Sequence, residues 1–137
     1  MIQRIVTEHP PIFADIVKVF PAAAEPNVFF SFGDVIYNPS GTKIEQWVLA
    51  HEHYHGTRQL ECGVKSWWET YLVDPEFRLR EELPAHVIEY KEYRALGASR
   101  NQRRQMLGYI SERLASPLYG GLVSHAKAKA LIKEYGT

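Results

Sequence analysis

The sequence predicts a mostly helical α+β domain with a small sheet or hairpin near its N-terminus. Three observations carry that reading. Apolar residues recur at helical spacing in several segments, each bounded by cap and stop residues. Residues 27–38 alone change texture, to β-branched and aromatic side chains around a Gly-Asp pair. The chain is 137 residues long, 45% hydrophobic and 23% charged, with no internal repeat and no linker that would divide it, so residues 1–137 form one domain.

The elements follow in order. Ile12, Phe13, Ile16, Val17 and Phe20 form one stripe, which predicts a short helix over 11–20. Pro21 ends it, and Pro26 keeps the next stretch irregular. Asn27 to Phe32 and Val35 to Asn38 read as two short strands about a Gly33-Asp34 turn. Asn38-Pro39-Ser40-Gly41 stops the second. Thr42, with Glu45 three positions on, reads as a capping box opening a helix to about Leu60. A further helical piece spans about Val64 to Leu72. Asp74-Pro75 is a start signal for a helix to about Leu96, with Pro84 inside it as an expected kink and Gly97 as its stop. Ser99 caps a helix to Leu114, and Ser124 caps a last one to Tyr135, with a loop over 116–121 between them.

Composition excludes several functions. Sixteen basic and sixteen acidic side chains give a formal charge of zero, which argues against a nucleic-acid or anionic-membrane partner. Arg94, Arg100, Arg103 and Arg104 form only a local basic patch, read as a solvated helix face. The single cysteine, Cys62, cannot form an internal disulfide. The N-terminal residues lack the regions of a signal peptide, and no apolar stretch approaches the ~18 residues of a membrane span, so a cytoplasmic protein is expected.

Six histidines occur, and His51, His53 and His55 fall within five positions. The stripe Ile44, Trp47, Val48 continues to His51, Glu52, His55 and Gln59, so an apolar helix face runs into ionisable groups that need partners or a metal. His51-Glu52-His53-Tyr54-His55 is an H-E-x-x-H motif. Residues four apart differ by only about 40° around a helix, so two imidazoles converge on one tetrahedral ion. Glu52, about 100° round from His51, is placed to take a proton from metal-activated water. His53, about 200° round, points away.

Such a zinc site needs a third protein ligand. Position 58 is Arg and position 61 is Glu, so the chain lacks the Gly and His that extend the motif in one family of metallopeptidases; Glu61 stays an alternative. Glu82, His86 and Glu89 share one face of the helix after Asp74, and Ala85 allows close helix approach. Glu82 is the favoured third ligand, with Glu81 as a further alternative. A solvated face balanced by Arg78 and Arg80 is the plain explanation for these glutamates.

On His51-Glu52-x-x-His55 and Glu82-x-x-Ala85 the sequence resembles zinc metallopeptidases of the gluzincin type. The resemblance covers about residues 28 to 95. It extends to the compact metallopeptidases of phages and other mobile elements and to the ImmA/IrrE-like minimal gluzincins, in which a strand ending in an Asn-Pro turn precedes the motif helix, as Val35-Ile36-Tyr37-Asn38-Pro39 does here. The Ser116-Pro-x-Tyr119-Gly-Gly loop is in keeping with the phage group. His86 departs from the family, where Asp or Asn commonly stands there and supports a histidine ligand.

The resemblance implies a minimal zincin-like fold and a Zn2+ ion held by His51, His55 and Glu82. It implies Glu52 as general base in peptide hydrolysis, with a peptide or protein as substrate. The tetrahedral intermediate needs a further electrophilic group; His86 is favoured, with Tyr90 and Tyr119 as candidates. The strand Val35 to Tyr37 offers an edge for an extended peptide. The alternative function is a non-catalytic structural or regulatory protein, such as a phage component, that retains the metal site. A third reading is a helical module whose histidines are incidental.

Overall fold

The computed structural model describes residues 1–137 as six helices and a three-stranded sheet. In chain order these are β1 (Arg4–Val6), α1 (Phe13–Val19), β2 (Phe30–Phe32), β3 (Val35–Tyr37), α2 (Gln46–Cys62), α3 (Val64–Val73), α4 (Pro75–Ala95), α5 (Arg100–Leu114) and α6 (His125–Gly136). Short 3-10 turns occupy Pro21–Ala24 and Pro117–Tyr119. The mostly helical α+β class is the one the sequence predicts.

The sheet order is β1-β3-β2, with β1 parallel and β2 antiparallel to β3. Gly33 takes the positive φ of 60° that a tight hairpin turn demands of its first central residue. β1 lies outside the expected elements. Three residues are too few to signal a strand, and β1 exists through its pairing with β3: the Arg4 amide donates to Asp34 O at 2.7 Å, and the Asn38 amide to Val6 O at 2.8 Å. That pairing makes β3 the central strand. The edge expected at Val35 to Tyr37 is therefore closed on both sides, and the edge on the α2 side belongs to β2.

α2 starts at Gln46 with Glu45 as its N-cap, three residues later than a Thr42 cap implies, and the Thr42–Glu45 capping box does not form. The preceding residues close the loop out of β3 instead. Gly41 adopts a φ of 67°, and Asn38 Nδ2 donates to Thr42 O at 2.7 Å. Glu45 becomes the N-cap through its carbonyl, which accepts from the Val48 and Leu49 amides at 3.0 and 2.9 Å. α1 likewise starts later, at Phe13, because Ile12 sits in the left-handed region.

The other caps form as the side chains dictate. Asp74 accepts from the Glu76 and Phe77 amides, with Pro75 as the first helical residue. Ser99 and Gln102 make a reciprocal capping box, and Ser124 accepts from the Lys127 amide. α4 continues through Pro84 to Ala95.

Two apolar clusters hold the elements together. Ile16, Phe20, Phe30, Trp67, Trp68 and Tyr71 pack α1, β2 and α3. Val87, Tyr90, Leu107, Ile110, Leu114 and Ile132 pack α4, α5 and α6. The α2–α4 interface is different in kind. It buries His51 and His55 of α2 against Glu82, His86 and Glu89 of α4, with Ala85 wholly enclosed. Gly56 sets α2 hard against the hairpin: a Cβ there would lie 2.3 Å from Gly33 O. No helix is long and apolar enough to cross a membrane.

Candidate metal centre

α2 and α4 bring three donor atoms to one point. His51 Nε2 and His55 Nε2 are 3.1 Å apart. Glu82 Oε1 lies 3.0 Å from His55 Nε2 and 3.5 Å from His51 Nε2. Donors at ~2.0–2.1 Å from a tetrahedral zinc ion stand ~3.3 Å from one another, so the three separations match one face of that tetrahedron. All three residues are buried. Without a cation or a shared proton, three lone-pair atoms at this spacing in a dry interior would repel. The donor set fits zinc.

Each of the three side chains is aimed by a further contact. His51 Nδ1 donates to Glu89 Oε1 at 2.8 Å, which leaves the Nε2 lone pair facing the centre. Arg113 on α5 in turn holds Glu89 Oε1. Tyr71 on α3 donates to Glu82 Oε2 at 2.6 Å, so only Oε1 faces the histidines. His55 packs against the Trp67 ring, 5.5 Å between centroids.

The electrostatics follow from these contacts. Burial alone would lower the His51 pKa, but hydrogen bonds to Glu82 and Glu89 outweigh it and raise it to about 10. Burial would raise Glu82, but the charge of His55 and the hydrogen bonds from both histidines hold it well below the ordinary carboxylate range. Glu89, likewise buried, is pulled down to about 2 by the Arg113 guanidinium and His51.

Glu52 lines the same cleft as these three residues and is held from β2. Its Oε2 accepts from Ser31 Oγ at 2.6 Å, and the same hydroxyl lies 3.0 Å from Glu52 O. Gln59 fixes the register of helix and strand. It donates to Ser31 O at 2.8 Å and accepts from the Gly33 amide at 2.7 Å. The site opens into a cleft of about 440 Å³ with largely apolar walls. His51, Glu52, His55, Glu82 and Tyr119 all line it.

Other predicted residues stand elsewhere. His53 is exposed and donates to Met1 O at 3.0 Å. Glu81, the alternative ligand, accepts from Trp67 Nε1 at 2.8 Å and from Arg58. Glu61 is exposed and pairs with Arg58. His86 is wholly buried, donates from Nδ1 to its own helix at Glu82 O and does not line the cleft. Burial and the neighbouring His51 and Arg113 charges lower its pKa to about 3. Tyr90 belongs to the second apolar cluster. Arg78 does not balance the glutamates. It is buried, donates to Tyr119 O and Tyr71 O, and lies over the Phe20 ring. It thereby staples the turn that carries Tyr119.

Two contributors escaped the sequence reading: Ser31 and Arg113. Each arrives from another element, and no local pattern marks it. Comparison with protein-family models, curated proteins and solved structures finds no match for the chain.

Proposed function

We propose that the protein is a zinc-dependent peptidase. The observation that supports this best is the tetrahedral-edge spacing of His51 Nε2, His55 Nε2 and Glu82 Oε1, with Glu52 beside them at an open cleft. Zinc bound there supplies a Lewis acid for the scissile carbonyl and lowers the pKa of the attacking water.

The chain's own groups do the rest. Glu52 accepts the water proton and passes it to the leaving amine. Ser31 occupies Oε2, which leaves Oε1 as the basic oxygen. Tyr119 is the electrophilic partner in place of His86. It lines the cleft, and burial together with Glu82 and Glu52 keeps its phenol protonated well above the ordinary range, as a hydrogen-bond donor must be.

Substrate lies extended along β2. The Ser31 carbonyl is taken by Gln59 and Trp68, so pairing with substrate begins just before β2, at Phe29, which lines the cleft. Apolar walls favour apolar side chains next to the cleaved bond.

A peptide-library digest read by mass spectrometry tests the reading. Zinc-loaded protein cleaves a defined subset of sequences, and chelation abolishes cleavage. Stoichiometric zinc with no cleavage would instead favour a non-catalytic metal protein.

A further inference from the structure

We propose that Arg113 forms a carboxylate-binding subsite of the cleft, so that the protein takes peptides carrying an apolar residue next to a carboxylate. This deepens the peptidase reading and rests on it.

The inference starts from how the cations near the site are spent. Arg58 is engaged by Glu81 and Glu61, and Arg78 by two backbone carbonyls; neither lines the cleft. Lys43 lines it but is 82% exposed and extends towards Glu45. Arg113 is the cation set into the wall, with its side chain 21% exposed. A guanidinium offers five N–H donors in a planar fork. Arg113 uses one terminal nitrogen, on Glu89. Nε is buried without a partner, and Nη1 is accessible and free. A carboxylate is the ligand such a fork matches.

Position and surroundings point the same way. Arg113 and His51 share Glu89 Oε1, so the guanidinium is one carboxylate oxygen and one imidazole away from the metal centre. That is the reach of one or two extended residues, at roughly 3.3–3.6 Å each. A carbonyl at the centre and a carboxylate at Arg113 therefore fit on one short peptide. Met106 and Tyr109 stand on the same face of α5 and line the cleft, with the Arg113 guanidinium carbon 5.8 Å from the Tyr109 ring centre. They supply the apolar wall beside the charge.

The carboxylate has two sources, a chain terminus or an acidic side chain. The test measures binding to zinc-loaded Glu52→Gln protein, so that it needs no turnover. The probes are N-acetyl-phenylalanine, its amide, and N-acetyl-phenylalanyl-glutamic acid α-amide, whose only acid is the side-chain carboxylate. The α-acid or the side-chain acid binds about tenfold more tightly than the neutral amide, and whichever does so names the source. Arg113→Lys keeps the charge beside Glu89 but loses the fork, and it reduces that preference several-fold. Equal binding of all three probes by the parent protein overturns the proposal without recourse to any variant. So does a preference that persists in Arg113→Lys with zinc bound, since the metal alone then holds the acid. Library cleavage without acid preference sinks the subsite and leaves the peptidase reading standing. Arg113-dependent acid binding without cleavage does the reverse.

Discussion

The Ser31 hydroxyl on β2 donates to Glu52 Oε2 on α2 at 2.6 Å. The bond joins an edge strand to the general base of the proposed reaction. It fixes which oxygen of Glu52 is free, and it ties the base to the strand along which substrate is proposed to lie. Ser31→Ala removes one hydrogen bond to a charged group, so kcat falls about tenfold. Zinc content stays unchanged, because Ser31 touches no ligand. Metal analysis beside steady-state kinetics checks both halves.

Glu89 sits behind His51 and orients it from 2.8 Å. Loss of such an outer carboxylate costs roughly ten- to a hundredfold in metal affinity. Glu89→Gln is expected to show that loss in competition with a chelator of known affinity. Unchanged affinity would mean that helix packing alone orients His51.

Metal-free protein is expected to be most stable near pH 6.5. Folded His51 titrates near 10 against an unfolded value of 6.5, so its contribution is complete below 6.5 and drains away as pH rises towards 10. Folded His86 titrates near 3, so stability drops as pH falls from 6.5 and the unfolded chain takes up the proton. Glu89, depressed to about 2 from 4.5, adds a further loss below pH 4.5. Each proton contributes a slope of about 1.4 kcal/mol per pH unit. Urea titrations in chelator at several pH values measure the curve. Added zinc flattens the alkaline arm, since metal binding needs His51 deprotonated.

Tyr119 and His86 are separated by one pair of variants. Tyr119→Phe lowers kcat by about a hundredfold with little effect on KM, as loss of a transition-state donor does. His86→Gln acts on stability first, because His86 is fully buried and away from the cleft. Denaturation curves and kinetics on both variants assign the roles.

Gly56 allows α2 to rest on the hairpin, where a Cβ would meet Gly33 O at 2.3 Å. Gly56→Ala overpacks that contact at a cost of about 1–3 kcal/mol, which lowers Tm by roughly 3–10 °C. A thermal melt with the parent Tm would contradict the close approach.

The parts of the site that are local in sequence were legible there. His51, Glu52 and His55 lie on one helix, and helical spacing alone brings the two histidines together and turns His53 outward. Glu82 was already the favoured third ligand in the sequence, and the fold shows what occupies the two alternatives: Arg58 joins Glu81 to Glu61, and Trp67 holds Glu81 from α3. Helical spacing also puts His86 in line with Glu82 and Glu89, and the depth at which α4 is buried, which the spacing does not report, keeps it out of the cleft lining. Ser31 and Arg113 act across 21 and 24 residues of chain, and nothing near either one signals the glutamate it meets. The Thr42 capping box failed for a related reason. Asn38 claims the Thr42 carbonyl first, a contact between loop and loop that a helix pattern does not anticipate.

The most direct test of the central claim is Glu52→Gln, measured for zinc content and peptide hydrolysis in one preparation. The substitution keeps the side chain's shape and its contact with Ser31, and it removes only the basic oxygen. The expected result is stoichiometric zinc, an unchanged fold and no hydrolysis of peptides that the parent protein cleaves. Hydrolysis retained by the variant, or loss of zinc from it, would contradict the role of Glu52 as a base beside a metal held by His51, His55 and Glu82.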